Sequence, residues 1–131
     1  MGKPAAKLGD RIVAVDTHLT IVPAGPVTAV VPLPYPFNGT IDNSLSANVK
    51  VNGRPAATLG STATNTPPHI AMGISFQRPP SNMGRIIQGS TTVLINGKPA
   101  ARAGDTAMTC NDPVDLPVGK VVAAGTVMIG G

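Results

Sequence analysis

Lys98-Pro99-Ala100-Ala101-Arg102-Ala103-Gly104-Asp105 decides the fold, because the chain spells this stretch three times. Lys3-Pro4-Ala5-Ala6-Lys7-Leu8-Gly9-Asp10 opens the sequence. Arg54-Pro55-Ala56-Ala57-Thr58-Leu59-Gly60-Ser61 follows 51 residues later, and the Lys98 copy after 44 more. Each copy reads basic residue, Pro, Ala, Ala, a variable residue, an apolar residue, Gly, then Asp or Ser. A fixed repeat of this kind is one structural unit used several times, so it governs every other assignment.

The repeat extends upstream. Ser90-Thr91-Thr92-Val93-Leu94-Ile95-Asn96-Gly97 precedes the third copy, and Ser46-Ala47-Asn48-Val49-Lys50-Val51-Asn52-Gly53 precedes the second in the same register. Both are short β-favouring runs ending in Asn-Gly, the dipeptide that supplies two positive φ angles to a type I′ turn. Each unit therefore reads strand, tight turn, strand, corner, with Pro near the start of the second strand, where a missing N–H is tolerated. The first copy has no strand before it, but Ala124-Gly125-Thr126-Val127-Met128-Ile129-Gly130-Gly131 matches Ser90 to Gly97 position for position. The expected fold is all-β: three pseudo-threefold hairpins in a ring, closed by pairing of the C-terminal strand with the N-terminal one. Such closure also hides strand edges that invite aggregation.

Composition fits one domain spanning residues 1–131. A chain of this size buries roughly two-thirds of its unfolded surface. Its only aromatics are Tyr35, Phe37 and Phe76, so Val, Ile, Leu and Ala must fill the core. Gly and Pro total 29 of the 131 residues, which argues for many loops. No apolar stripe at helical spacing persists, so no helix is expected. One cysteine excludes an internal disulfide. Pro4, Asp10 and Arg11 interrupt any signal-like run, and no stretch reaches the ~20 apolar residues of a membrane helix. The expectation is manufacture in the cytoplasm with export by a machine, and no domain before or after the repeats. The net charge of +4 is scattered and lacks interleaved aromatics for base stacking, so no nucleic-acid partner is expected. Lys3, Arg54 and Lys98, however, share one repeat position and would form a ring of cations.

Between the repeats, Arg11 to Val15 reads as a strand, broken by Asp16-Thr17-His18 and resumed at Leu19 to Val22. Pro32, Pro34 and Pro36 force an extended path, read as a strap across the sheet in preference to a ligand segment for a partner domain. Asn38-Gly39 reads as a turn. Residues 62–84 and 106–119 read as the second and third long connections.

Register singles out three side chains. His18 lies eight residues after Asp10, His69 eight after Ser61, and Cys110 five after Asp105. Around a threefold axis they would converge. Imidazole and thiolate suit zinc, although the spacing is no zinc-finger pattern and the three are also ordinary core and surface residues. The chain contains no Glu and no His-Glu-x-x-His, so a metal here reads as structural. Phosphate-loop and nucleophile-elbow motifs are absent.

Pro99-Ala100-Ala101-Arg102, inside its Asn-Gly-Lys-Pro-Ala-Ala-Arg-x-Gly-Asp frame, resembles the PAAR-repeat proteins, which tip the central spike of bacterial contractile injection machines, type VI secretion systems and related phage-tail-like particles among them. Lys7 and Thr58 replace the motif's Arg in the other units, so the likeness is to a divergent branch. The resemblance implies a cone whose hairpins form the base and whose connections converge on a metal-stabilised point. It implies a zinc ion held by His18, His69 and Cys110. The family uses three His and one Cys, so the fourth ligand is open here: Asp16, Asp112, water or another group, with iron as the secondary metal. It implies docking on a trimeric, VgrG-like spike protein, one tip per trimer, membrane puncture in transient contact with a target membrane, and carriage of effector proteins. Two other readings are an effector-adaptor or regulatory binding module and a small metal-dependent hydrolase.

Overall fold

The structure, a computed structural model, describes residues 2–130. In chain order the strands are β1 (Lys3–Pro4), β2 (Arg11–Ala24), β3 (Val27–Asn43), β4 (Lys50–Val51), β5 (Arg54–Pro55), β6 (Thr62–Asn65), β7 (Ser75–Phe76), β8 (Met83–Ile86), β9 (Leu94–Ile95), β10 (Lys98–Pro99), β11 (Thr106–Thr109), β12 (Leu116–Val122) and β13 (Met128–Ile129). The described residues contain no helix, so the protein is all-β.

The three repeat hairpins form in one register. Val51 pairs with Arg54, Ile95 with Lys98, and Ile129 with Lys3. The first two pairs flank Asn52-Gly53 and Asn96-Gly97, all four at positive φ (49°, 81°, 51° and 77°), as a type I′ turn requires. The third joins β13 to β1, so the two ends of the chain complete a hairpin between them.

The Ala-Ala pairs join the hairpins into a ring. Ala57 N–H donates to Ala6 O (3.0 Å), Ala101 N–H to Ala57 O (3.1 Å), and Ala6 N–H to Ala101 O (2.9 Å). The cycle closes after three bonds. Flanking bridges run in the same sense, Lys7 with Ala56, Thr58 with Ala100 and Arg102 with Ala5. All six alanines are essentially inaccessible to solvent, which is why the motif tolerates only a methyl group: three backbones meet at one axis. Each unit then turns a corner at a glycine with φ near +90° (Gly9, Gly60, Gly104). The corner is held by a side chain reaching back to the backbone three residues earlier. Asp10 Oδ2 accepts from Lys7 N–H (3.0 Å), Ser61 Oγ from Thr58 N–H (2.9 Å), and Asp105 Oδ2 from Arg102 N–H (2.7 Å).

The three connections are strands as well as loops. β2 pairs with β3, β3 with β6, β6 with β8, β8 with β11, β11 with β12, and β12 returns to β2. The result is a closed six-stranded antiparallel barrel, two strands per unit. The interior repeats in threes: Ile12, Ala63 and Ala107, then Ile41, Ile86 and Val121, all buried. A third tier is Gly39, Gly84 and Gly119. A Cβ on Gly39 would lie 2.7 Å from Phe37 Cε1, and one on Gly84 3.2 Å from Phe37 Cζ. A single aromatic ring thus occupies space that two of the three glycines leave free.

Two sequence expectations fail here. Asn38-Gly39 is no turn but the interior of β3, since Gly39 faces inward to admit Phe37. Asp16-Thr17-His18 does not break β2. Asp16 and His18 point inward at alternate positions, and Thr17 N–H between them donates to Asn111 Oδ1 (2.7 Å). The proline strap is likewise a full strand of the sheet, paired with β2 from Thr40 opposite Arg11 to Val27 opposite Ala24. Pro23, Pro32, Pro34 and Pro36 all fall in one alternate set of cross-strand pairs, Pro23↔Thr28, Leu19↔Pro32, Thr17↔Pro34 and Val15↔Pro36. In an antiparallel ladder such pairs turn their N–H groups outward. The prolines therefore cost the ladder nothing and strip donors from an edge that would otherwise recruit strands.

Gly39→Ala should cost about 1–3 kcal/mol, read as a lower thermal midpoint. Gly130→Ala, with nothing within 4 Å of its added Cβ, should be near neutral. Equal midpoints for the two variants would contradict the packing of Phe37.

Candidate metal centre

Strand alternation builds one side of the site. Asp16, His18 and Thr20 on β2 share the inward face with Ile12, and Tyr35 and Phe37 on β3 face them. His69 arrives on the segment after β6, and Cys110 on the residue that follows β11. One ligating atom from each of Asp16, His18, His69 and Cys110 lies within 4.8 Å of all the others. The three residues singled out by register do meet, and the four together could hold a metal ion.

Asp16 is the hub. Its Oδ2 lies 2.8 Å from His69 Nε2, 3.4 Å from Cys110 Sγ and 4.0 Å from His18 Nε2. Its Oδ1 accepts from the Thr109 hydroxyl at 2.5 Å. Asp112, the other carboxylate weighed from sequence, stands outside. It approaches His18 from the opposite side, Oδ2 to Nδ1 at 3.4 Å. Its oxygens are engaged by Leu19 N–H (2.8 Å) and by Arg78 Nη2 and Nε (2.7 and 3.1 Å). The sequence signal for Asp16 was its two-residue spacing from His18 on one strand, which puts both on one face.

The hydrogen bonds fix the histidine roles. Asn38 N–H donates to Asn65 Oδ1 (2.9 Å), so the Asn65 amide nitrogen faces His69 Nδ1 at 3.3 Å. Without a cation Nδ1 then accepts and His69 Nε2–H donates to Asp16; ligation through Nε2 would displace that proton. His18 differs: both ring nitrogens are buried without a hydrogen-bond partner. An orphaned imidazole beside a carboxylate and a thiol is costly, and a cation accepting its lone pair would satisfy it. The donor set fits a divalent ion. Tetrahedral bonds of about 2.0–2.3 Å put ligand atoms roughly 3.3–3.7 Å apart, so the cluster needs a contraction of about 1 Å at its widest.

The surroundings are apolar and aromatic. The His18 ring lies 5.7 Å from Phe76 and 5.8 Å from Tyr35, and His69 lies 6.1 Å from Phe37. All three aromatics of the chain thus border a histidine. Burial holds the His18 pKa below its ordinary value, keeping the ring neutral as a ligand must be. Burial, reinforced by the Asp16 charge and hydrogen bond, pushes the Cys110 thiol up to about 11. Burial works against the Asp112 carboxylate, but Leu19 N–H, Arg78 and His18 outweigh it and hold its pKa low. Without a cation, then, the thiol keeps its proton. With one, thiolate and carboxylate together balance a divalent charge, and a neutral complex is the cheapest to bury.

In protein stripped of metal, the unfolded thiol titrates near 9.0 and the folded one near 11. The folded state holds its proton longer, so this contribution to stability is intact below about pH 9 and lost as pH climbs towards about 11. Denaturation in chelator at pH 8 and 10.5 should show the wild type losing about 1–2 kcal/mol more than Cys110→Ser. Equal losses would contradict the buried thiol.

Residues 76–131 match the family model for the PAAR motif. No curated protein matches the chain. The matched segment holds the third repeat, Cys110, and the C-terminal strand that completes the first hairpin. Residues 76–131 thus carry a PAAR motif, and two further units in the same register are bonded into the same ring.

Proposed function

We propose that residues 1–131 form a single tip domain that caps the trimeric central spike of a contractile injection machine, one tip per trimer. The observation that carries this is the closed three-bond ring with Lys3, Arg54 and Lys98 at equivalent, solvent-exposed positions in the hairpins around it. A surface with approximate threefold repetition suits a partner with true threefold symmetry. The hairpins are the natural continuation of a β-prism.

The metal is zinc in this reading, held by His18, His69 and Cys110, with Asp16 in the place of the family's third histidine. Four protein ligands leave no open position for substrate, so the ion is structural and the protein is no enzyme. It cross-links β2 to the segments after β6 and β11, where polar side chains fill the barrel in place of a hydrophobic core. Binding energy at such a site is folding energy. The protein is made in the cytoplasm and leaves as part of the particle, the target membrane being met by the assembled spike. A second reading, a tip that also carries separate effector proteins, draws on the exposed Val27, Ile70, Met72 and Ile74 on and beside the long β2–β3 hairpin.

The test is assembly with the cognate spike trimer by size exclusion with light scattering, alongside elemental analysis. One zinc per chain and one chain per trimer are expected. Lys3→Glu, Arg54→Glu and Lys98→Glu together should weaken assembly at least tenfold while leaving the thermal midpoint within a few degrees. Unaltered assembly of the triple variant would contradict docking through this face.

A further inference from the structure

The pseudo-symmetry of the three units is broken at the hairpin end by the residue that follows Ala-Ala. The variable residue of the motif is Lys7, Thr58 and Arg102 in units one, two and three. The two long cations fold into the seam between their own unit and the next. Lys7 Nζ bonds Asp10 (3.1 Å) and Ala124 O (2.7 Å). It lies beside Gly125, whose added Cβ would meet Asn52 of the next hairpin turn. Arg102 Nη2 bonds Asp105 (2.9 Å), and its Nη1 reaches Gly130 O (3.4 Å), the position equivalent to Asn52. In unit two both members of the pair are short. Thr58 and Ser61 stand where Lys-Asp and Arg-Asp stand elsewhere; Ser46 and Asn48 hydrogen-bond Asn96 across the equivalent seam, but no long side chain fills it. It forms a notch of about 280 Å³ bordered by Ser46, Asn48, Thr58, Ile95, Asn96 and Lys98.

The notch has a definite chemistry. No carboxylate borders it, because the acid that serves Lys7 and Arg102 is Ser61 here. Lys98 does border it, and among the described residues Lys98 forms no ion pair. The Ser46 hydroxyl donates to Asn96 Oδ1 and Asn96 Nδ2–H to Asn48 Oδ1, which leaves Asn48 Nδ2 and the second Asn96 N–H to donate, and Ile95 gives an apolar wall for a methylene stem. Such a site favours an acidic side chain and disfavours a basic one.

We propose that this notch receives one Asp or Glu side chain from the docking partner, so that the tip seats in a single rotational register on a threefold surface. This rests on the docking reading above and adds to it: three equivalent acidic side chains of a trimer would meet two seams filled by Lys7 and Arg102 and one that no long side chain fills. Docking energy would then differ among the three rotations, although the ring itself is nearly symmetric.

The test uses the full chain and a capped peptide, acetyl-Gly-Ser-Glu-Ser-Gly-amide, with Gln and Lys versions as controls. Followed by NMR, the Glu peptide should shift the amides of Ser46, Asn48, Asn96 and Lys98 saturably in the millimolar range. The Gln and Lys peptides should not. Thr58→Arg with Ser61→Asp rebuilds in unit two the pair seen at Arg102 and Asp105. It should keep the thermal midpoint, abolish the peptide shifts, and reduce affinity for the spike trimer about tenfold. No shift with the Glu peptide, equal shifts with the Lys peptide, or shifts that survive in the double variant would each overturn the notch. Should the double variant not fold, Lys98→Gln replaces it, with loss of the Glu-peptide shifts expected and their persistence overturning the proposal. Failure of the wild type to bind any spike trimer would instead remove the docking reading, and the peptide result would stand on its own.

Discussion

Three backbone hydrogen bonds, each from an alanine N–H of one unit to an alanine carbonyl of another, close a cycle at the axis of this protein. Most of the remaining architecture depends on them. The cycle requires three strands to approach within bonding distance of one point, which only small side chains permit, and Ala-Ala supplies them. It requires each chain segment to leave the axis at once, and the Gly-Asp or Gly-Ser corner does this with a positive φ and a side-chain bond back to the backbone. It also requires three units, and the chain has only two complete ones. The third is assembled from its two ends, β13 lying against β1.

Above the ring, symmetry weakens in stages. The barrel keeps equivalent tiers, but their sizes differ: Ile12 opposes two alanines, and Phe37 fills space at the axis alone. Higher still, the units contribute unlike side chains to the cluster that could hold a metal, Asp16 and His18 from the first, His69 from the second and Cys110 from the third. The β2–β3 hairpin of unit one then runs on past the cluster to Gly25 with no counterpart in the other two. A repeat can share a backbone frame near the axis while its loops diverge, because backbone bonds there fix conformation and leave side-chain identity free. The cluster shows this freedom, two imidazoles and a thiol standing at three corresponding levels of the units.

Much of this was legible in the residues. The triplicated motif fixed the hairpins, their I′ turns and the terminal pairing, since turn chemistry and register are local. The equal offsets of His18 and His69 from their corners brought both to one level. Other features were not local. Asn38-Gly39 has the composition of a turn, and only the position of Phe37 in the closed barrel makes that glycine an interior spacer. Asp16 and His18 look like strand breakers until their inward partners are known. The prolines of β3 read as a strap because their ladder parity depends on β2, a partner identified only by the fold. The choice of Asp16 over Asp112 as the hub turned on which side of His18 each carboxylate approaches, which sequence spacing does not encode.

The central claim, a closed ring of backbone bonds uniting three units, is tested most directly by native-state hydrogen exchange at the amides of Ala6, Ala57 and Ala101. All three should be among the slowest in the molecule and should exchange with one common free energy, because opening any bond opens the cycle. Rapid exchange at Ala6 alone, as from a frayed N-terminal segment, would contradict closure of the ring by the chain ends.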